Sequence, residues 1–226
     1  MAVHEALQAE AQALAAAVAS EPAAALACPS LCPPWTVGDL LYHVRVGVAR
    51  LSHMLAEPEP NAHAEGLVTA AGYFSPDHRF SPATNADRVA SAQHGAAGLP
   101  AEAMAADFER AWLEAWAAVQ AARPDRVVRT RHGDLMLLTD FLRTRVLELA
   151  VHGLDLAAGL DRDPWLTPEA ASVVAGLVLP DGSADLRQRL AWDHATLIAK
   201  VTGRQPLTPA ESEVIQAEHI HWLALG

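Results

Sequence analysis

The sequence predicts an all-α protein in which four long helices form a four-helix bundle, followed by further helices and accompanied by one small β-hairpin. Long segments place apolar residues three and four positions apart, the spacing of a buried helix face. The chain has 226 residues, of which 51% are hydrophobic, enough for a large core. We expect residues 1–160 to form the bundle and residues 161–226 a helical extension packed on it as a single compact unit.

The first two bundle helices are predicted on either side of a proline-rich connection. Residues 3–19 are rich in alanine and other good helix formers. After the connection, Thr36 is predicted to cap a helix that continues to about Leu55, and Asp39 completes a pattern close to a capping box. His43 lies within the apolar stripe of this second helix.

The other two bundle helices flank the predicted hairpin. Residues 101–122 form the third helix, and residues 127–131 and 135–138 are predicted to pair as two short strands. Thr139 is predicted to cap the fourth helix, which ends near Gly159.

A long connection separates the second and third bundle helices. Residues 57–83 contain four prolines and two glycines, and a loop of this length in a compact domain is commonly functional. We expect it to cover one end of the bundle. Thr84 is predicted to cap a short helix at residues 85–97.

Three more helices are predicted in the tail, at residues 168–178, 184–201 and 208–223. The first and third begin with Thr-Pro, which places an N-cap residue before a proline in the first helical position.

Composition argues against several classes of partner. The net charge is −11 without a basic stripe, so nucleic acid is not an expected partner. No apolar run approaches the roughly 18 residues of a membrane span, and the N-terminus lacks the pattern of a signal peptide. With only two cysteines, we expect a cytoplasmic protein. We also expect a monomer or homodimer.

One helix carries an unusual set of polar residues. In residues 143–156, Glu148, His152 and Asp155 fall on one face of an otherwise apolar helix. A buried carboxylate needs a partner, and a cation bound by Glu148 and His152 would supply one. Alternatively, Arg145 pairs with Glu148 and His152 is an ordinary core histidine.

A third ligand is available on the second helix. Together His43, Glu148 and His152 make a set that binds zinc with one position open for catalysis, although a histidine in an apolar stripe is more often a core residue.

Two motifs resemble a known family. Residues 32–43, Cys-Pro-Pro-Trp-Thr-Val-Gly-Asp-Leu-Leu-Tyr-His, resemble the opening motif of the mycothiol-dependent maleylpyruvate isomerase family, in the DinB-like superfamily. Residues 143–156 resemble its second motif, and residues 202–211 resemble the close of actinobacterial members of about this length. The family's usual Cys-Pro-Gly-Trp is Cys-Pro-Pro-Trp here.

The resemblance implies a DinB-like bundle with a divalent metal, usually Zn²⁺. It implies that His43, Glu148 and His152 hold the metal, and that mycothiol or another low-molecular-weight thiol is the cosubstrate. The tail is expected to be too short for the separate C-terminal domain of the isomerase proper, so the small electrophilic substrate is left unspecified.

Further residues are assigned supporting roles. Arg88 is our candidate to bind an anionic substrate near the metal, the alternative being a solvated arginine. Asp39 and Asp155 are predicted to orient the ligand histidines, although Asp39 equally fits a helix N-terminal charge. Cys32 is interpreted as structural.

The leading functional hypothesis is a metal-dependent thiol S-transferase or isomerase acting on a small electrophile. Two alternatives need the same residues. One is a non-catalytic protein that binds a small molecule or a partner on the same bundle, and the other is a metal-dependent hydrolase.

Overall fold

The computed structural model describes residues 2–61, 66–75, 81–179 and 185–217. Within these ranges the regular secondary structure is helical apart from one two-stranded sheet. The elements in chain order are α1 (Ala2–Val18), α2 (Ala23–Leu26), α3 (Val37–Ala56), α4 (Ala70–Tyr73), α5 (Pro82–Ala97), α6 (Ala101–Ala121), β1 (Val127–Arg129), β2 (Leu135–Leu137), α7 (Leu138–Gly159), α8 (Pro168–Val178), α9 (Leu186–Arg189), α10 (His194–Val201) and α11 (Pro209–Ala217).

The four long helices α1, α3, α6 and α7 form the predicted bundle. α3 packs against α6 and α7, and α1 packs against the same two helices, which closes a ring of four. Apolar side chains from all four meet in one buried core, including Leu14, Leu40, Phe108 and Leu147. The all-α prediction is therefore confirmed.

The start of α3 is fixed as the sequence predicts. The Thr36 hydroxyl accepts a hydrogen bond from the Asp39 backbone N–H, and the Asp39 carboxylate accepts one from the Thr36 N–H at 2.9 Å. This complete capping box sets where α3 begins, and so sets the position of His43 two turns later.

The predicted cap of α7 is wrong. The helix begins at Leu138, directly after β2, and its N-cap Leu137 makes no side-chain hydrogen bond. The Leu138 N–H donates instead to the Arg126 carbonyl. Because the hairpin satisfies the backbone at this end, Thr139 is not needed as a cap.

The hairpin itself is confirmed. β1 and β2 are antiparallel, with Val128 opposite Met136. Gly133 has a φ of 94° in the connecting turn, a conformation that glycine adopts at little cost.

Other boundaries differ from the predictions. α5 begins earlier, with Ser81 as its N-cap and Pro82 in the first turn, so Thr84 lies inside the helix. The helix predicted at 184–201 is two helices, because Ala191 takes a φ of 53° and Asp193 caps α10. Residues 184 and 218–223 of the predicted tail helices lie outside the described ranges.

Two short helices interrupt segments that were predicted as connections. α2 lies in the proline-rich connection after α1, and α4 lies within the 57–83 segment. Four residues make a single helical turn, which is too short to produce a periodic pattern in the sequence.

The extension packs against one side of the bundle. α8 contacts α1 and α7, and α10 contacts α8 and α7. A domain boundary at residue 160 stays a prediction. No helix in the described ranges is long and apolar enough to span a membrane.

Candidate metal centre

His43, Glu148 and His152 come together at the wall of a cavity of about 850 Å³. Nε2 of His152 lies 3.4 Å from Oε2 of Glu148, and Nε2 of His43 lies 4.0 Å from the same oxygen. One donor atom from each residue lies within 4.8 Å of the others. Two ligands at zinc distances in a tetrahedron are about 3.4 Å apart, so the three donors fit one zinc ion with small adjustments.

The electrostatics of the two histidines differ. Burial, together with the neighbouring His152, lowers the pKa of His43 to about 3, so His43 is a neutral imidazole at physiological pH. Burial also acts to lower the pKa of His152, but hydrogen bonds with Asp155, Cys32 and Glu148 raise it well above its ordinary value. Carboxylates that favour a proton on this imidazole also favour a divalent cation in its place.

Asp155 is hydrogen-bonded to His152. Its side chain is fully buried, and Oδ2 lies 3.0 Å from Nδ1 of His152. With Nδ1 engaged in this way, Nε2 faces Glu148. A carboxylate hydrogen-bonded to a ligand histidine is a common arrangement at metal sites. The effect of Asp155 on metal binding stays a prediction.

Two further groups bind Asp155, and the sequence did not identify them as site residues. Arg204 donates from Nε to Oδ1 at 3.0 Å and from Nη2 to Oδ2 at 2.8 Å, and Cys32 donates from Sγ to Oδ2 at 3.1 Å. Burial alone would raise the pKa of Asp155, but hydrogen bonds from His152 and Arg204 lower it overall.

The group formed by Cys32, His152 and Asp155 also has metal-ligating residue types within 4.8 Å. In that group the Asp155 carboxylate is already occupied by the bidentate contact of Arg204. The set with His43 and Glu148 faces the cavity and is the better candidate for a metal. The only sequence signals for Cys32 and Arg204 were their places in the opening motif and the tail.

The remaining predicted residues take different positions. Asp39 makes the capping contact with Thr36, and among the described residues its hydrogen bonds do not reach a histidine. Arg88 lines the cavity and donates to the Asn85 side-chain oxygen. Arg145 places Nη2 at 4.0 Å from Oε1 of Glu148, so an ion pair with this carboxylate accompanies the histidine contact.

Aromatic side chains cover parts of the cavity wall. The Trp35 ring lies 4.8 Å from the His43 ring between centroids, and Trp35 donates from Nε1 to the Val89 carbonyl on α5. Tyr73 and Phe74, from the 57–83 segment, also line the cavity. Part of that segment, at 62–65 and 76–80, lies outside the described residues, so its predicted role as a cover stays a prediction.

Comparison with known proteins links this site to a family. A family model described as the mycothiol maleylpyruvate isomerase N-terminal domain matches residues 7–157, a range that includes all three candidate ligands. A search of curated proteins found no match. Among solved structures, the crystal structure of the mycothiol-dependent maleylpyruvate isomerase is similar to this chain at 17% identity and a TM-score of 0.46. The match covers 68% of this chain and 59% of that one, so it spans less than two thirds of that protein.

Proposed function

This chain belongs to the mycothiol maleylpyruvate isomerase N-terminal domain family, and on that premise we propose that it is a metal-dependent thiol S-transferase or isomerase. The proposed cosubstrate is mycothiol or another low-molecular-weight thiol, and the substrate is a small electrophile bound in the cavity. The observation that carries the proposal is the convergence of His43, Glu148 and His152 at the cavity wall.

The donor set fits zinc. Two imidazoles and one carboxylate are typical of catalytic zinc sites that keep one position open. When bound there, a divalent cation stabilises a thiol as its thiolate near neutral pH.

The chain's own residues prepare this site. His43 is neutral, so its ring nitrogen has a lone pair available to a cation. Asp155, held by Arg204, keeps the second imidazole turned toward Glu148. Trp35 packs on the His43 ring and restricts its rotation.

Either reaction uses the sulfur as nucleophile. In an isomerase, sulfur adds to an activated alkene, the former double bond rotates, and elimination restores the alkene and the thiol. In a transferase, a carbon–sulfur bond forms as the bond to a leaving group breaks, and the leaving group departs with the bonding electrons. The cavity is large enough to hold a thiol and a small electrophile together.

Metal content tests the proposal first. We expect one zinc per chain by elemental analysis, and loss of it in His43→Ala and His152→Ala. His53 is exposed on α3 and serves as the matched control, because His53→Ala should retain the metal. Full metal content in His152→Ala would refute the three-ligand assignment.

Activity tests it second. Mycothiol should be consumed or recycled with an activated alkene, and maleylpyruvate, which the name of the similar protein includes, is the first electrophile to try. Turnover of an ester without any thiol would favour the hydrolase instead. Metal binding with no turnover across a panel of electrophiles would favour the binding protein.

The remaining features belong to the same proposal. The two cysteines are free thiols, which suits the reducing cytoplasm that we propose as the compartment. A monomer or homodimer stays our prediction for the oligomeric state.

A further inference from the structure

A second polar region lines the same cavity, away from the metal ligands. On α3, Gly47 and Arg50 follow His43 by four and seven positions, so all three lie on one face of the helix. Seven residues span about 10 Å along a helix axis. Arg50 therefore lines the cavity about two helical turns from His43.

Gly47 gives Arg145 room beside α3. A Cβ added at Gly47 would lie 3.2 Å from Nη1 of Arg145. The guanidinium carbon of Arg145 lies 4.9 Å from the Phe141 ring centroid and 5.9 Å from that of Tyr73. Since Arg145 is also 6% exposed, its charge is held in a fixed place between the metal ligands and Arg50.

The cavity has more positive charge than the chain as a whole would suggest. The chain has a net charge of −11, yet five arginines line this one cavity. One of them, Arg204, is paired with Asp155. The other four are Arg50, Arg88, Arg131 and Arg145.

Among the described residues, two of these arginines have no acidic partner. Within the described parts of the chain, no carboxylate forms an ion pair with Arg50 or with Arg131, whose Nε instead lies 3.0 Å from Nε2 of His132. Arg145 reaches Glu148 only at 4.0 Å. Burial lowers the pKa of Arg50, and the charges of Arg131 and Arg145 lower it further, which is the signature of mutual repulsion.

We infer that Arg50, Arg131 and Arg145 form an anion-binding subsite that takes a carboxylate or phosphate of the ligand. A bound anion relieves the repulsion among the three guanidinium groups and gives Arg50 and Arg131 an anionic partner that none of the described residues provides. The identity of the ligand as the electrophile rests on the proposed function. The subsite is distinct from Arg88, the arginine that the sequence singled out.

The subsite sets a length requirement on the ligand. The turns of α3 that carry His43 and Arg50 are about 10 Å apart. A ligand whose anionic group lies near Arg50 and whose reactive atom lies near His43 must therefore separate these two groups by no more than about that distance. The subsite therefore favours a small acid or phosphate ester whose reactive carbon is several bonds from the anion.

Direct binding tests the inference without any turnover. Inorganic phosphate and succinate are titrated separately into the purified protein by calorimetry. We expect saturable binding of at least one probe, and the tighter probe identifies the anion as phosphate or carboxylate. Arg50→Gln and Arg131→Gln should each weaken it about tenfold, the usual cost of losing a hydrogen bond to a charged group. Arg50→Lys should weaken it less, since the charge remains.

Arg143→Gln is the matched control. Arg143 is exposed on the same helix as Arg145, pairs with Asp140, and does not line the cavity. The Arg143→Gln variant removes one positive charge, as the subsite variants do. Because this charge is exposed and screened by salt, anion affinity should change by no more than about twofold. Circular dichroism spectra that match the wild type would show that each variant is folded.

The subsite would be refuted by three results. Any one of them suffices. The first is that neither probe binds the wild type saturably, and the second is that the Arg50→Gln/Arg131→Gln double variant binds the anion as tightly as the wild type. The third is that Arg143→Gln loses as much anion affinity as the subsite variants. Failure of the proposed function looks different. Anion affinity would then depend on Arg50 and Arg131 although no thiol reaction occurs.

Discussion

Replacing Asp155 by asparagine separates its effect on metal binding from its effect on folding. The buried carboxylate accepts from Nδ1 of His152 and from Sγ of Cys32, and it accepts two hydrogen bonds from Arg204. Asparagine has nearly the same shape but only one acceptor oxygen and no charge. It cannot satisfy both the imidazole and the guanidinium.

Both magnitudes follow from these contacts. Loss of the carboxylate behind a ligand histidine typically weakens metal binding about 10–100-fold, so we expect zinc affinity to fall by that factor. Breaking a buried ion pair usually costs about 3–5 kcal/mol. Arg204 is 14% exposed and retains its bond to the Thr202 carbonyl, so we expect a loss near the lower end, about 3 kcal/mol.

Two assays measure these effects separately. Competition with a chromophoric chelator gives zinc affinity, and urea unfolding of the chelator-treated protein gives stability. Asp140→Asn is the control, because Asp140 lies on the same helix and pairs with the exposed Arg143. Zinc affinity in Asp155→Asn equal to that of the wild type, alongside reduced stability, would make Asp155 purely structural.

Three other predictions test different parts of the molecule. Gly95→Ala should destabilise the protein by about 1–3 kcal/mol, because the new Cβ would lie 2.1 Å from the Tyr42 ring, whereas Gly176→Ala meets nothing within 4 Å and should be neutral or stabilising in thermal unfolding. A hydrogen bond from Lys200 is the main cause that lowers the pKa of Glu211 to about 2 from 4.5, so its contribution to stability is full above about pH 4.5 and is lost as the pH falls toward 2. Glu211→Gln should therefore reduce the pH dependence of urea unfolding in that window, and an unchanged slope would contradict this. In the cobalt-substituted protein, mycothiol should add a near-ultraviolet charge-transfer band at pH about 7, and the band should be absent when either ligand histidine is removed.

The features that the sequence predicted well are local ones. The helices follow from apolar spacing, and Glu148 and His152 could be paired because four positions make one helical turn. His43 was found because it interrupts an apolar stripe. Each of these inferences needs only a short segment of chain.

The features that it missed depend on contacts between distant segments. Cys32 and Arg204 both contact Asp155, from which they are separated by 123 and 49 positions in the sequence. No local sequence pattern indicates such a contact. Arg50 resembles an ordinary surface charge in the sequence, and only the packing of α3 beside α7 shows that it faces a cavity. The cap predicted for α7 failed for the same reason, since the backbone partner comes from Arg126 on the hairpin.

The contact between Arg204 and Asp155 ties the tail to α7, the helix that carries two of the candidate metal ligands. The tail turns at Gly203, which has a φ of 74°, and places the Arg204 guanidinium against Asp155, which in turn contacts His152. If docking of this turn favours the orientation of His152 that binds a cation, then cation binding favours docking of the turn by the same free energy, because such coupling is reciprocal. We therefore expect occupancy of the proposed metal centre and protection of the tail from proteolysis to be linked equilibria, each of which reports on the other.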